Sequence, residues 1–308
     1  MKILITGGAG YVGNELAFQL LKNKDVEKIV IYDNLSRKNY SLFLDTKYDK
    51  KIVNFVNGEL LDSRKLRSVL KDIDVVFHLA ARVSTPFASE DSHLFEQANN
   101  WGTAELVYAV EESNVSKFIY ISTTSVYGTS EDIIDINTTP NPKTFYSTSK
   151  LRGEAHAKRL FDKMSTYILR TGNIYGYSPS VRFDAVINRF LFEANFSKKI
   201  HITGNGHQLR AFIHIDKVVN VLCNLLNHQL ASGTYNLVDK NLSIIDISDV
   251  IKELFTDLEI IYINQHLTMR ELKVATDERL KHLITNTNIS LKDELISFKE
   301  KFSFSSFE

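Results

Sequence analysis

The chain has 308 residues, 44% of them hydrophobic and 24% charged, enough to bury one large core or a large and a smaller one. Its 37 lysines and arginines balance 37 aspartates and glutamates, so no bulk positive charge directs it to nucleic acid. The single cysteine, Cys223, excludes an internal disulfide and a cysteine metal cluster, and no apolar run reaches the roughly 20 residues of a membrane span. The opening "MKILITGG" runs straight into a strand pattern with no signal-peptide apolar region, so the expected location is the cytoplasm, with no membrane partner.

Taken in chain order, strand patterns fall at 2–6, 28–33, 51–57, 74–80, 117–122 and 166–171. Helix-length amphipathic stretches lie between them at 11–23, 62–71, 92–114 and 145–164. The strands are nearly continuous apolar runs, as parallel strands covered on both faces require. This alternation predicts a doubly wound parallel α/β sheet, a Rossmann domain over residues 1–175. Beyond it the rhythm loosens, and residues 176–308 are expected to form a smaller substrate lobe, some segments of which return to the first domain. Helical patterns there fall at 216–228, 246–256 and 290–301, and the tail "FKEKFSFSSFE" is expected to pack as an arm. Cys223, in an apolar helical pattern, is expected to be a small core residue.

The first motif is "LITGGAGYVGNEL", which sets Gly7, Gly10 and Gly13 between a strand and a helix. Glycine there permits a tight turn, a close backbone approach to a pyrophosphate and close helix–strand packing. The helix N-terminus offers free N–H groups to the phosphates. Asp33 ends the second strand twenty residues after Gly13; its carboxylate accepts from ribose hydroxyls and repels a 2′-phosphate, which favours NAD over NADP. Arg37 and Lys38 follow closely and would soften that preference. In "TFYSTSKLRGE", Tyr146 and Lys150 share one helix face, a spacing that decides nothing by itself. The histidines His201, His207 and His214 show no paired spacing with carboxylates, so no metal site is expected.

Around that cradle, "TGGAGYVG", "HLAA" (78–81), "NNWGT" (99–103), "STTSVYG" (122–128), "YSTSK" (146–150), "LRTGNIYG" (169–176) and "GNGHQLRAFIHIDKVV" (204–219) occur in order. The chain thereby resembles the extended short-chain dehydrogenase/reductase family, in particular its NAD-dependent nucleotide-sugar epimerases and dehydratases. The resemblance implies an NAD site made by Gly7, Gly10, Tyr11, Val12 and Gly13, by Asp33 and Asn34, and by Glu59 and Leu60. It adds Leu79, Ala80, Ala81, Asn99, Ser122, Tyr146 and Lys150. It implies catalysis by Tyr146, Lys150 and Thr123, with Ser122 the next candidate for the hydroxyl. A free phenol, with pKa about 10, is a poor base at neutral pH, and Lys150 one turn away is placed to lower it. Lys150 is also expected to bond the nicotinamide ribose.

Substrate contacts are expected from Ser84, Thr123, Thr124, Ser125, Asn173, Arg182, Arg210 and Arg270. Asn173 and Arg210 would hold a nucleotide diphosphate, for which the planar guanidinium fork suits a bidentate grip. The dehydratases and decarboxylases of the family carry acidic residues where this chain has Thr124 and Ser125, so 4,6-dehydration is disfavoured. Other departures are Glu59 for aspartate, Thr171 for proline and Ala211 after the clamping arginine. The reading that follows is a nucleotide-sugar 4-epimerase working through a 4-keto sugar. The alternatives are a C4 dehydrogenase or ketoreductase, and a non-catalytic NAD-binding regulator. "SPSVRFDAVINRFL" resembles a segment of members acting on GDP-linked sugars and heptoses for surface polysaccharides. His78 is expected to pack beside the cofactor and Trp101 to pack in its helix, and the 92–114 and Tyr146 helices imply a homodimer.

Overall fold

The computed structural model describes residues 1–44, 48–83, 92–265, 267, 269–285 and 288–304. The chain begins with β1 (Lys2–Thr6), α1 (Tyr11–Leu20), β2 (Lys28–Asp33), β3 (Val53–Asn57), α2 (Ser63–Leu70) and β4 (Val75–His78). The next helix is one continuous run in three parts: α3 (Ser92–Phe95), a π-turn (Glu96–Trp101) and α4 (Gly102–Glu111). After it come β5 (Lys117–Thr123), a 3-10 turn (Thr124–Tyr127), β6 (Ser130–Ile134), α5 (Phe145–Lys158), β7 (Ser165–Thr171) and β8 (Asn173–Tyr175). The remainder is α6 (Val186–Ser197), β9 (Lys199–Thr203), β10 (Leu209–His214), α7 (Ile215–Asn224), β11 (Gly233–Leu237), β12 (Lys240–Ser243), α8 (Ile244–Leu254), β13 (Glu259–Ile263), β14 (Leu272–Val274) and α9 (Leu291–Lys299).

Seven strands form the main sheet in the order β11-β7-β5-β4-β1-β2-β3, all parallel. Both faces are apolar, which explains the unbroken hydrophobic runs. Ile3, Ile5, Ile29 and Ile31 enter one core, while Leu4, Val30 and Tyr32 point the other way into the second. Full burial of each such aliphatic side chain stabilises the fold by about 1.5–3 kcal/mol. The chain builds outward from β1 through β2 to β3, then restarts on the other side at β4. The loops after β1 and β4 therefore diverge, and the crevice between them is where an open α/β sheet binds its ligand.

The lobe has its own core, in which Phe190, Leu191 and Ala194 of α6 meet Ile200, Ile247, Ile251, Leu295 and Phe298. Its strands form a sheet β12-β10-β14-β6, with β8 also on β10, and a separate β13–β9 pair. A buried ionic cluster ties α7, α9 and β12 together: Lys217 reaches Asp239 at 2.7 Å and Glu294 at 3.2 Å, and Lys240 reaches Glu294 at 2.9 Å. The Tyr175 hydroxyl also donates to Glu294.

Several expectations shift. The pattern at 74–80 ends as strand at His78, and Leu79–Ala81 turn into the loop that lines the crevice. The pattern at 51–57 starts as strand at Val53, and the stretch 145–164 ends as α-helix at Lys158. β11 lies well past residue 175 yet completes the main sheet beside β7, and α7 packs on α1. "GTYNL" is short and half polar, so only pairing with β7 makes it a strand. Trp101 does not pack: 59% of it is exposed. The π-turn places it on the outer face of its helix. Of the aromatic tail, Phe298 is buried and Phe302 packs on Phe196, whereas Phe304 is exposed. Cys223 is partly buried against the main core, which pushes its thiol up to about 12.

Candidate active site

The crevice is a single cleft of about 1680 Å³, more than the roughly 300–1,000 Å³ of a pocket for one small ligand. At its floor stands the glycine turn. Gly7 has φ +70°, and a Cβ there would meet the Ala80 backbone at 2.6 Å. A Cβ on Gly13 would strike Gly7 O at 2.5 Å and Gly8 Cα at 2.6 Å, so this glycine lets α1 close onto the turn. A Cβ on Gly10 would meet only Gly7 O, at 3.0 Å, and otherwise open space. These are three different needs for glycine, and the middle one leaves backbone bare toward the cleft.

Asp33 closes this end. Its Oδ2 accepts from Ala9 N at 3.1 Å and its Oδ1 from Leu35 N at 2.8 Å. Burial still raises its pKa, so further donors such as ribose hydroxyls would be welcome there. Glu59 does not stand free: Asn34 Nδ2 donates to both its oxygens at 3.0 Å. Arg37, which lines the same cleft, pairs with Asp184, 3.6 Å away.

Midway along the cleft, β5 and α5 bring Thr123, Tyr146 and Lys150 together. Helix α5 starts with a capping box in which Thr144 Oγ1 accepts from Ser147 N and Ser147 Oγ from Thr144 N, each at 3.1 Å. Lys150 is 3% exposed; its Nζ donates to Ile121 O at 2.6 Å and lies 4.1 Å over the Tyr120 ring. Burial brings its pKa down from 10.5 to about 7, opposed by the charge of Glu154. For Tyr146 burial raises the phenol, opposed by Arg182 and by a hydrogen bond with Thr123. In the protein without cofactor the groups that oppose this rise are Arg182 and Thr123. Lys150 points at Ile121 O, its own ammonium is weakened by burial, and the cation acting on the phenol is Arg182.

Behind this pair His78 is fully buried between Thr6 Oγ1 at 2.7 Å and Thr103 Oγ1 at 2.9 Å. Thr103 already donates to Asn99 O, so His78 Nε2 must be the donor to Thr103 and Nδ1 the acceptor from Thr6. Desolvation, and then the charge of Lys150, hold its pKa well below 6.5, so it is a neutral packed residue.

At the far end Arg210 of β10 and Arg270 line the same cleft. Burial, then the charge of Arg270, lowers the pKa of Arg210. Among the described residues neither guanidinium has a carboxylate partner. Two like charges held together invite a polyanion. Asn173 is exposed in the cleft, with one amide hydrogen committed to Ala211 O at 3.0 Å.

The sequence model of the NAD dependent epimerase/dehydratase family matches residues 3–237. This chain belongs to that family. A human dTDP-D-glucose 4,6-dehydratase is 30% identical over 241 residues, 77% of this chain and 68% of the human one. A Bacillus subtilis protein described as an uncharacterized UDP-glucose epimerase is 32% identical over 245 residues, 77% and 76% of the two chains. The crystal structure of Bacillus cereus UDP-glucuronic acid 4-epimerase with UDP-glucuronic acid and NAD superposes with a TM-score of 0.85 at 27% identity, covering 97% of this chain and 98% of that one.

As a member of the NAD dependent epimerase/dehydratase family the protein is an enzyme and NAD is its cofactor. The glycine turn and Asp33 fit that group: bare backbone stands where a pyrophosphate would lie, and an underused carboxylate where a ribose would.

Other expected residues fare unevenly. Val12, Leu60, Leu79, Ala80, Ala81, Thr124 and Ser125 line the cleft. Tyr11 also lines it, but its hydroxyl is committed to Gly176 O at 2.6 Å, so only its backbone serves a cofactor. Asn99 stands behind the cleft wall, fully buried, bonded to Arg82 N at 2.8 Å, Arg82 O at 2.9 Å and Ser149 Oγ at 3.0 Å. It shapes the loop after β4. Ser122 reaches the cleft, but its hydroxyl donates to Glu154 at 2.6 Å. Thr123, bonded to Ser125 Oγ at 2.6 Å, is thus the better-placed hydroxyl beside Tyr146. Arg182 is gripped by Asp184 at 3.1 and 2.9 Å. Ser84 lies outside the described residues. The sequence reading passed over Glu154 and Arg170, although Tyr146, Lys150 and Glu154 continue one stripe at four-residue spacing.

Proposed function

We propose that this enzyme is a nucleotide-sugar 4-epimerase in which Tyr146 is the proton acceptor for the sugar C4 hydroxyl. The observation that carries the reading is the meeting, in one cleft, of the Thr123–Tyr146–Lys150 group with the unpartnered Arg210–Arg270 pair. The first suits a sugar carbinol and the second the diphosphate that tethers it. NAD, when bound, takes up a hydride from a sugar carbon and returns it. The protein's share is to accept the proton of the C4 hydroxyl at the Tyr146 oxygen, whose ionised form Arg182 and Thr123 favour, and to hold the C4 oxygen with Thr123. It must also keep the diphosphate anchored at Arg210 and Arg270 while the 4-keto sugar turns over, and then give the proton back.

The carboxylates of the cleft argue against dehydration, which needs an acid–base group beside the sugar. Among the described residues these are Asp33 and Glu59 at the cofactor end, Asp184 gripped by Arg182, and Glu193 against Arg189. Thr124 and Ser125 supply only hydroxyls. The test is incubation of the purified protein with UDP-, GDP-, dTDP- and CDP-sugars, following NADH by absorbance and products by mass and NMR. An isomer without net NADH supports epimerisation. Stoichiometric NADH assigns a dehydrogenase, a product lighter by one water a dehydratase, and no reaction with any sugar a binding protein.

The reading includes a homodimer through α4 and α5. Trp101, at the end of the π-turn that leads into α4, and Phe145 of α5 are 59% and 55% exposed large apolar groups, and α4 and α5 pack on each other. Trp101→Asp should then yield monomers by light scattering; a wild-type protein that already runs as a monomer rejects the dimer.

A further inference from the structure

The most enclosed charge in the chain is not in the cleft but directly behind it. Glu154 is fully buried on α5, one turn beyond Lys150 and two beyond Tyr146. Arg170 of β7, itself 3% exposed, grips it with Nε at 3.0 Å and Nη2 at 2.7 Å. Ser122 Oγ of β5 donates to its Oε1 at 2.6 Å, and Thr171 Oγ1 donates to Ser122 O at 3.1 Å. Three elements thus converge on one carboxylate. Both neighbours of Ser122 are committed to the site, since Ile121 O accepts from Lys150 and Thr123 bonds to Tyr146. Gly153 makes the approach possible: a Cβ there would strike the Tyr120 hydroxyl at 2.4 Å and Asn99 O at 2.6 Å.

We propose that Glu154 is a positioning residue, clamping α5 to β5 and β7 and supplying the fixed countercharge for the Lys150 ammonium. This rests on the reading of Tyr146 and Lys150 as the catalytic pair. The groups facing Lys150 are few. His78 of β4 is neutral, Tyr120 of β5 presents its ring, Arg170 of β7 is matched by Glu154 and stacks on Tyr127 of the 3-10 turn, and Arg182 acts on Tyr146 from the substrate loop. Among the described residues Glu154 is the group whose charge favours the protonated lysine, against desolvation that disfavours it. Arg170 holds the carboxylate in place, and the acid in turn shifts the buried lysine toward its protonated form.

The test is the titration of Lys150, followed through its ε-carbon by NMR in protein labelled with ε-¹³C-lysine, with Lys150→Arg identifying the signal. It is run with and without NAD. Glu154→Gln keeps the shape of the side chain and removes its charge. Because that variant leaves Arg170 buried without its partner, the neutral pair Glu154→Gln with Arg170→Gln is measured beside it. The expected result is a Lys150 midpoint lower by about one pH unit in Glu154→Gln, and a smaller fall in the double variant, which also removes the opposing charge of Arg170. A midpoint equal to wild type in a folded variant overturns the proposal. Failure of both variants to fold overturns it too, by assigning the pair to stability alone. The catalytic reading is judged separately: a Tyr146→Phe protein with normal turnover sinks that reading and leaves the measured Glu154–Lys150 coupling standing.

Discussion

The two ends of the substrate cleft are built in opposite ways. Around Tyr146 the polar groups find partners inside the protein: Lys150 on Ile121 O, Ser122 on Glu154, Glu154 on Arg170, Thr123 on Ser125. Around Arg210 they do not; two guanidiniums stand near each other and burial already weakens one. The first arrangement is complete before any ligand arrives, so its geometry is set by the fold. The second is completed only by an anion. Chemistry is held rigid at one end, and binding energy is kept in reserve at the other.

Substitutions at the two ends should therefore fail differently. Tyr146→Phe removes the proton acceptor and should lower turnover by about 10²–10⁴-fold while NAD still binds; stopped assays of product beside calorimetric NAD titration read both. If turnover survives, the complete end is not the reactive end. Arg210→Gln should raise KM for the nucleotide sugar by about 10–100-fold, the worth of one charge-assisted contact, with a smaller change in kcat. A fall in kcat alone would erase the proposed division of labour. Asp33→Ala should erode the preference for NAD over NADP by about tenfold, measured as the ratio of their dissociation constants.

A separate effect concerns pH. Lys150 titrates at about 7 in the folded protein against 10.5 for an ordinary lysine, so between these values the unfolded chain binds more protons. Stability of the NAD-free protein should thus rise as pH goes from about 7 toward 10.5, and this contribution is lost as pH falls through 7. Lys150→Met should flatten that part of a urea-unfolding series. An unchanged slope would mean that the ammonium is less enclosed than the structure shows.

Much of this was legible from local pattern. The glycine turn, Asp33 and six of the seven strands of the main sheet follow from short-range rules: periodicity, turn chemistry, a helix N-terminus. The stripe Tyr146–Lys150 was legible too, but not its state. Burial moves both values, and Arg182, far along the chain, opposes the rise at Tyr146. Asn99 reads as a cofactor contact because it sits in a motif, yet its amide is committed to the Arg82 backbone. "GTYNL" could not be read as a sheet strand because its pairing partner lies more than sixty residues earlier.

By itself the sequence determined the fold class and the cofactor cradle and named Tyr146 and Lys150 as the proposed reactive pair, because each depends on residues within a turn or two of one another. Only the tertiary structure decided which charges are paired and which are left for a ligand. Pairing depends on which strands lie side by side: β5 and β7 bring Ser122 and Arg170 to Glu154, while β10 and the segment before β14 bring Arg210 beside Arg270 with no carboxylate partner among the described residues.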